Sequence, residues 1–434
     1  MEPQVTDKTY GFETLSVHAG AAPDPATGAR ALPIYQTTAY VFEDADQAAA
    51  LFNLQTVGFI YSRLTNPTNS ALEARLATLE GGRGCTVTSS GHAAQVLALF
   101  PLMSPGAEIV ASSRLYGGSL QQMRNTYPKF GWTAKIVDAD DPVNFERAVT
   151  ANTKAFFIES LANPGGVISD IEAIARIAEA AGVPLLVDNT LATPWLCKPI
   201  EYGATLIVHS TTKFLSGTGT SMGGAVVDSG KFDWNANPGR FPSLTEPEPA
   251  YHGLRFQETF GPMAFTFHSH AVGLRDLGPS QAPFNAWLTM LGIETLGLRM
   301  ERHCANAQKV AEYLAKHPAV AWVNYAGLPD NKYHQLAKKY LPKGAGSIFT
   351  FGVKGGYDVG IKVVDSVELF SHLANIGDAK SLIIHPASTT HRQLSDEQRV
   401  AAGAGPDVVR LSIGIETVDD IIADLEQALK KATS

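Results

Sequence analysis

The chain has 434 residues, 45% of them hydrophobic and 18% charged, with a net charge of −8. That length is enough for two domains with well-buried cores, and a negative balance without a basic run argues against a nucleic-acid partner. Cys85, Cys197 and Cys304 are far apart and in no Cys-x-x-Cys pair. No disulfide framework and no metal site is therefore expected, and a reducing, cytoplasmic compartment fits.

Residues 1–65 are rich in Pro, Gly and Thr with little periodicity, and read as an extended arm that needs another surface. Within residues 1–30 the charges Glu2, Asp7, Lys8, Glu13 and Asp24 leave no apolar core, so no secretory signal is expected there. No run of about 18 apolar residues offers a membrane span. A helical pattern begins at Ala71. Short apolar runs of strand length follow at Cys85–Ser89, Glu108–Ala111, Lys135–Val137, Ala155–Glu159, Leu185–Asp188, Leu206–His209 and Ala225–Val227. An amphipathic helix, Ile171–Ala181, lies between two of them. The alternation predicts an α/β fold with a mostly parallel sheet and helices on both faces.

Residues 232–283 interrupt that pattern with seven prolines and a run of aromatic side chains. The segment is too aromatic for a disordered linker and reads as an ordered excursion covering a site or a subunit contact. A long helix is predicted from about Phe284 to Lys316, leading to a smaller α+β C-terminal domain. That domain is expected to hold strands Ile348–Val353 and Val408–Ile413 and helices Val359–Leu373 and Val418–Lys430. Thr417 with Asp420 three residues later resembles a capping box for the last helix. The predicted division is 1–65 arm, 66–290 large domain and 291–434 small domain.

Lys213 ends the hydroxyl-rich turn Ser210-Thr211-Thr212 after an apolar strand, and Gly217-Thr218-Gly219 follow. An amine able to form a Schiff base, beside hydroxyls able to hold a phosphate, suits a pyridoxal phosphate site. Asp188, delivered by Leu185–Val187, is either a turn cap or the carboxylate that keeps the cofactor's pyridine nitrogen protonated. Ser90-Gly91-His92 opens a helix whose free N–H groups suit a phosphate. His92 reads there as a first-turn residue rather than a catalytic base. Tyr61 and Arg63 stand two apart in the arm and, if extended, face the same side, where both can grip one phosphate. Tyr116-Gly117-Gly118 is a Gly-rich turn, with its ring either packed or laid on a ligand. Arg410 lies within an apolar strand-like run and needs an anion, either a structural partner or a substrate carboxylate.

Together these segments resemble the Cys/Met-metabolism family of pyridoxal-phosphate enzymes of fold type I. The resemblance is carried by Tyr61-Ser62-Arg63, Ser90 to Ala94, Leu115 to Gly118, Glu159-Ser160 through Asn163-Pro164, Val187 to Thr190, His209 to Lys213, His385 to Ser388 and Arg410-Leu411-Ser412. It implies that Lys213 attaches the cofactor and shuttles protons, Asp188 pairs with its ring nitrogen and Tyr116 covers the ring and assists with protons. It further implies that Gly91, His92 (through its backbone), Ser210 and Thr212 bind the phosphate, and that Asn163 meets the ring oxygen. Tyr61 and Arg63 then reach the neighbouring subunit's phosphate in a homotetramer built as a dimer of dimers. Arg410, with Asn375 and Tyr61, would receive the substrate. The 232–283 excursion and the run Leu373–Ser381 are similar to the branch acting on O-acetylhomoserine; Asn375 stands where shorter members place serine, and Gly118 where methionine γ-lyases carry cysteine. The activity implied is γ-replacement on O-acetyl-L-homoserine by sulfide or methanethiol. The alternatives are the succinyl ester as donor, cysteine as acceptor as in cystathionine γ-synthase, γ-elimination, or a non-catalytic cofactor-binding partner protein.

Overall fold

The computed structural model describes residues 10–163, 166–390 and 403–434, together with residues 392, 395, 397 and 399. Pro164 of the Asn163-Pro164 motif and the charges at Glu2, Asp7 and Lys8 lie outside these.

The strands of a seven-stranded sheet are β1 (Gly84–Thr88), β2 (Glu108–Ser112), β3 (Thr133–Val137), β4 (Thr153–Glu159), β7 (Leu185–Asp188), β8 (Leu206–His209) and β9 (Gly224–Asp228). A two-stranded hairpin of β5 (Leu161–Ala162) and β6 (Val167–Ile168) follows β4. The large sheet has the order β1-β9-β8-β7-β4-β2-β3. Only β9 runs against the others, pairing antiparallel with both β1 and β8. Alternation at period two sends successive apolar side chains to opposite faces. Val110, Phe156, Ile158, Leu185, Val187 and Ile207 enter one core, while Ile109, Ala111, Phe157, Leu186, Leu206 and Val208 enter the other. Both faces are covered, which is why these strands read as nearly continuous apolar runs.

The aromatic excursion is ordered, and its large aromatics pack onto one face of the sheet. Trp234, Phe241, Phe256 and Phe265 are almost completely buried in the second core, against Phe157, Leu186 and Val208. Its prolines open a series of short helices between Pro242 and Met263, which fold the aromatics back onto one face.

The structure also differs from expectation at four element ends. The helix expected from Ala71 begins earlier and spans Pro67–Glu80, with Asn66 Oδ1 accepting the Thr68 N–H at 2.9 Å as its cap. The long helix is two, Pro283–Glu294 and Leu296–Lys316. They break at Thr295, just past Gly292, where an added Cβ would lie 2.3 Å from the Ser216 carbonyl oxygen. The predicted helix to Leu373 ends at Ser366, because the Asp424 carboxylate takes the N–H groups of Glu368, Leu369 and Phe370 at 2.8–3.1 Å. Thr417 precedes the last helix, Val418–Thr433, but its side chain makes no capping bond.

The small domain's sheet comprises β10 (Val320–Asn324), β11 (Ile348–Val353), β12 (Ser371–His372), β13 (Leu382–Ile384) and β14 (Val408–Ser412), in the order β10-β11-β14-β13-β12. Arg410 on β14 is paired in register with Thr350 and Ile384.

At the edge away from the site, Asp228 is 1% exposed, and among the described residues only one of its carboxyl oxygens has a partner, the Gly230 N–H at 2.9 Å. Burial pushes its carboxyl up to about 7. The folded protein then holds a proton that the unfolded chain releases near pH 4, so stability falls as pH rises from about 4 to about 7. Asp228→Asn is expected to remove up to about 4 kcal/mol of that dependence. Unfolding midpoints at pH 5 and pH 8 would draw together in the variant; an unchanged gap would contradict the assignment.

Candidate active site

The carboxyl ends of β1, β2, β4, β7 and β8 lie along one edge of the sheet, the place where open α/β folds bind ligands. Glu159 and Asp188 are register partners across β4 and β7, and Asp188 pairs with Val208 on β8. The turns that leave these strands therefore converge.

Lys213 follows β8. Its Nζ donates to Asn375 Oδ1 at 2.5 Å. Burial, reinforced by the Arg410 guanidinium, holds the Lys213 amine below the usual lysine range. Asp188 Oδ1 accepts the Thr190 N–H at 3.0 Å, and Oδ2 faces Gln95 Nε2 at 3.4 Å. Burial lowers the His92 imidazole, with Asp188 raising it and Lys213 lowering it further, so these three charges act on one another.

Gly91 and Ser210 meet closely: a Cβ on Gly91 would lie 2.7 Å from Ser210 Cβ. The absent side chain leaves the first turn of the helix Gly91–Leu99 against the turn that holds Lys213. The Ser90 side chain caps that helix at Ala93, 3.2 Å away, while first-turn N–H groups have no intrahelical partner. The Ser210 N–H donates to Thr190 Oγ1 at 2.8 Å. The Thr212 hydroxyl is engaged by the backbone of Gly223 at 3.1–3.3 Å.

Tyr116 is half exposed, and its ring stacks on His92 with centroids 5.8 Å apart and planes 27° apart. A Cβ at Gly118 would lie 2.4 Å from the Tyr116 ring and 2.8 Å from that of His92, so a side chain there would displace these rings. Arg410 is 7% exposed, and its guanidinium donates to Asn163 Oδ1 at 3.2 Å and to the Asn375 carbonyl at 3.1 Å. Burial pushes it down to about 10. Asn375, expected among the substrate contacts, thus links Lys213 to Arg410 in this state.

Tyr61 and Arg63 are placed elsewhere on the chain. The Arg63 guanidinium lies 5.5 Å over the Tyr61 ring and donates to the Arg275 carbonyl, and Tyr61 pairs with Ala39 in an isolated bridge.

Two further side chains, to which the sequence assigned no role, join the site. Gln95 touches Asp188 and also donates to Ser119 Oγ at 2.9 Å; its signal was a lone polar residue in the apolar helix run, one turn beyond Gly91. Thr190 supports both Asp188 and Ser210; the short step from Asp188 to Thr190 is the spacing of an Asx turn. Among the described residues no cluster of His, Cys, Asp and Glu can hold a metal, and no helix is long and apolar enough to cross a membrane.

Residues 13–430 match the family model described as Cys/Met metabolism PLP-dependent enzyme. The chain is 52% identical over 432 residues to the O-acetyl-L-homoserine sulfhydrylase of Leptospira meyeri, covering 98% of this chain and 97% of that one. It is 51% identical over 422 residues to the homocysteine synthase of Schizosaccharomyces pombe, covering 97% and 98%. A crystal structure of a putative O-acetylhomoserine (thiol)-lyase from Campylobacter jejuni, bearing N′-pyridoxyl-lysine-5′-monophosphate, superposes with a TM-score of 0.94 at 45% identity over 97% of this chain and 100% of that one. With its mostly parallel sheet, its second C-terminal sheet and its match to the family model over residues 13–430, this chain belongs to the Cys/Met-metabolism family of pyridoxal-phosphate-dependent enzymes.

Proposed function

We propose that this chain catalyses γ-replacement on O-acetyl-L-homoserine: the γ-carbon–oxygen bond breaks, a carbon–sulfur bond to sulfide forms, and L-homocysteine and acetate leave. The observation that carries this reading is a partly buried lysine amine held 2.5 Å from Asn375, within the field of a nearly buried arginine at the carboxyl edge of the sheet. Methanethiol in place of sulfide would give methionine.

The residues fit the cofactor. Gly91 lacks the Cβ that would fill the cradle against Ser210, and the N–H groups of Gly91 and His92 with the Ser210 hydroxyl offer donors to a phosphate. Thr212 supplies its hydroxyl from the same turn, sharing it with Gly223. Asp188 would face the ring nitrogen, Asn163 the ring oxygen, and Tyr116 one face of the ring. Bound there, pyridoxal phosphate supplies an electron sink for negative charge developing at the substrate's α-carbon.

The chain's own groups do the remaining work. Lys213, with its amine poised below the ordinary lysine range, is suited to take the α-proton and return it later. Tyr116 covers the site and can pass a proton to the departing or arriving group. Arg410 presents two N–H groups to the substrate's α-carboxylate, and Asn375 lies beside it. The Arg410 partners Asn163 Oδ1 and the Asn375 carbonyl are neutral, so an incoming carboxylate meets an uncompensated charge.

Tyr61 and Arg63 are proposed to reach the phosphate of a neighbouring subunit, Tyr61 also touching its substrate. The arm's exposed apolar side chains support this: Val41 is 100% and Val57 84% exposed. A homotetramer in the cytoplasm, with the arm at 1–65 and domains at 66–290 and 291–434, completes the reading. The test compares acetyl and succinyl homoserine with sulfide, methanethiol and cysteine as acceptors. Homocysteine from the acetyl ester and sulfide is the expected dominant product; turnover confined to the succinyl ester or to cysteine, or 2-oxobutyrate formed without a thiol, would replace the assignment.

A further inference from the structure

Glu159 takes no part in the chemistry assigned above, yet it occupies the centre of the site's framework. It ends β4, is 3% exposed, and is the register partner of Asp188. Its two oxygens go to two different turns. Oε1 accepts the Tyr116 N–H at 2.5 Å, and Oε2 accepts the Asn163 N–H at 3.0 Å. The first turn carries the ring that stacks on His92, and the second carries the amide that holds Arg410. From Arg410 the contacts run on through Asn375 to Lys213. The burial is costly, since burial and the adjacent Asp188 carboxylate raise the Glu159 carboxyl well above its ordinary range against the lowering effect of the two N–H groups. An apolar residue would avoid that cost but would leave two N–H groups in the site without acceptors.

We propose that Glu159 is a positioning residue whose carboxyl clasps the Tyr116 and Asn163 backbones together, setting the cover over the cofactor ring and the aim of Arg410 at the substrate. The inference rests on the roles proposed for Tyr116 and Arg410. The clasp demands two acceptors at this reach. Glu159→Gln keeps the reach and loses one acceptor, whereas Glu159→Asp keeps both and falls one methylene short.

The test measures both holoenzyme variants by steady-state kinetics and by visible circular dichroism per bound cofactor. Both are expected to raise the KM for the acyl-homoserine about tenfold or more, to change kcat less than KM, and to alter the dichroism. Wild-type KM and dichroism in either variant would overturn the clasp. In particular, an Asp variant matching wild type would leave charge alone as the requirement, and a loss of thermal stability without the kinetic split would leave a purely structural role. Should neither variant fold, amide hydrogen exchange of the wild type decides: the Tyr116 and Asn163 N–H groups exchange slowly if clasped, and rapid exchange overturns the proposal. Failure of the functional reading itself looks different, because the wild-type protein would then carry no cofactor band.

Discussion

Lys213→Ala is expected to lose the visible absorption band of the lysine-linked cofactor and to lower kcat by about 10⁴-fold or more. Two functions vanish together. On the proposed reading the amine is both the covalent attachment and the group that takes the α-proton, and burial and Arg410 hold it below the usual range. The truncation also leaves the Asn375 amide oxygen, now 2.5 Å from Nζ, without its donor. Far-ultraviolet dichroism should stay near wild type, because Lys213 lies in a turn after β8 and adds nothing to the apolar cores. A variant that retains the band and turnover would place the attachment elsewhere.

The second large effect concerns Arg410→Ala, for which kcat/KM with O-acetylhomoserine should fall by about 10²–10³-fold, as when one partner of a buried charge pair is removed. The cofactor band should persist and the KM for sulfide should change little, because of the two substrates only the amino acid carries the carboxylate proposed for the guanidinium. Arg410→Lys is expected to recover only part of the loss, since a point charge cannot reproduce two parallel N–H bonds. An unchanged KM for the amino acid in the alanine variant would return Arg410 to a purely structural role, bonded to Asn163 and Asn375.

The parts of this site that stood out in the sequence are those whose local chemistry is unusual. A lysine among hydroxyls after an apolar strand, and an aspartate at a strand end, break the apolar pattern where ligands bind, and β8 and β7 have the predicted bounds. Glu159 also ends a strand, but its role depends on two turns 43 residues upstream and 4 residues downstream, and only the folded chain brings these together. The same holds for Asn375, which meets Lys213 across 162 residues of sequence.

Local pattern misleads where tertiary contacts override it. The aromatics of 232–283 read as a cover for a site or a subunit contact because aromatic content cannot say which surface is covered; Trp234 and Phe265 stack at 6.0 Å within the core. The helix expected through Leu373 has the right apolar spacing, but Asp424, more than 50 residues away, draws off its N–H groups. The division of 283–316 into two helices was hidden for a similar reason, because the close approach of Gly292 to Ser216 has no signature in the helix's own sequence.

The central claim is that one lysine carries the cofactor, and the most direct measurement of it is borohydride reduction of the purified protein followed by peptide mapping. The account predicts a pyridoxyl label on the peptide containing Lys213. A label on any other lysine, or none at all on protein that turns over O-acetylhomoserine, would contradict it.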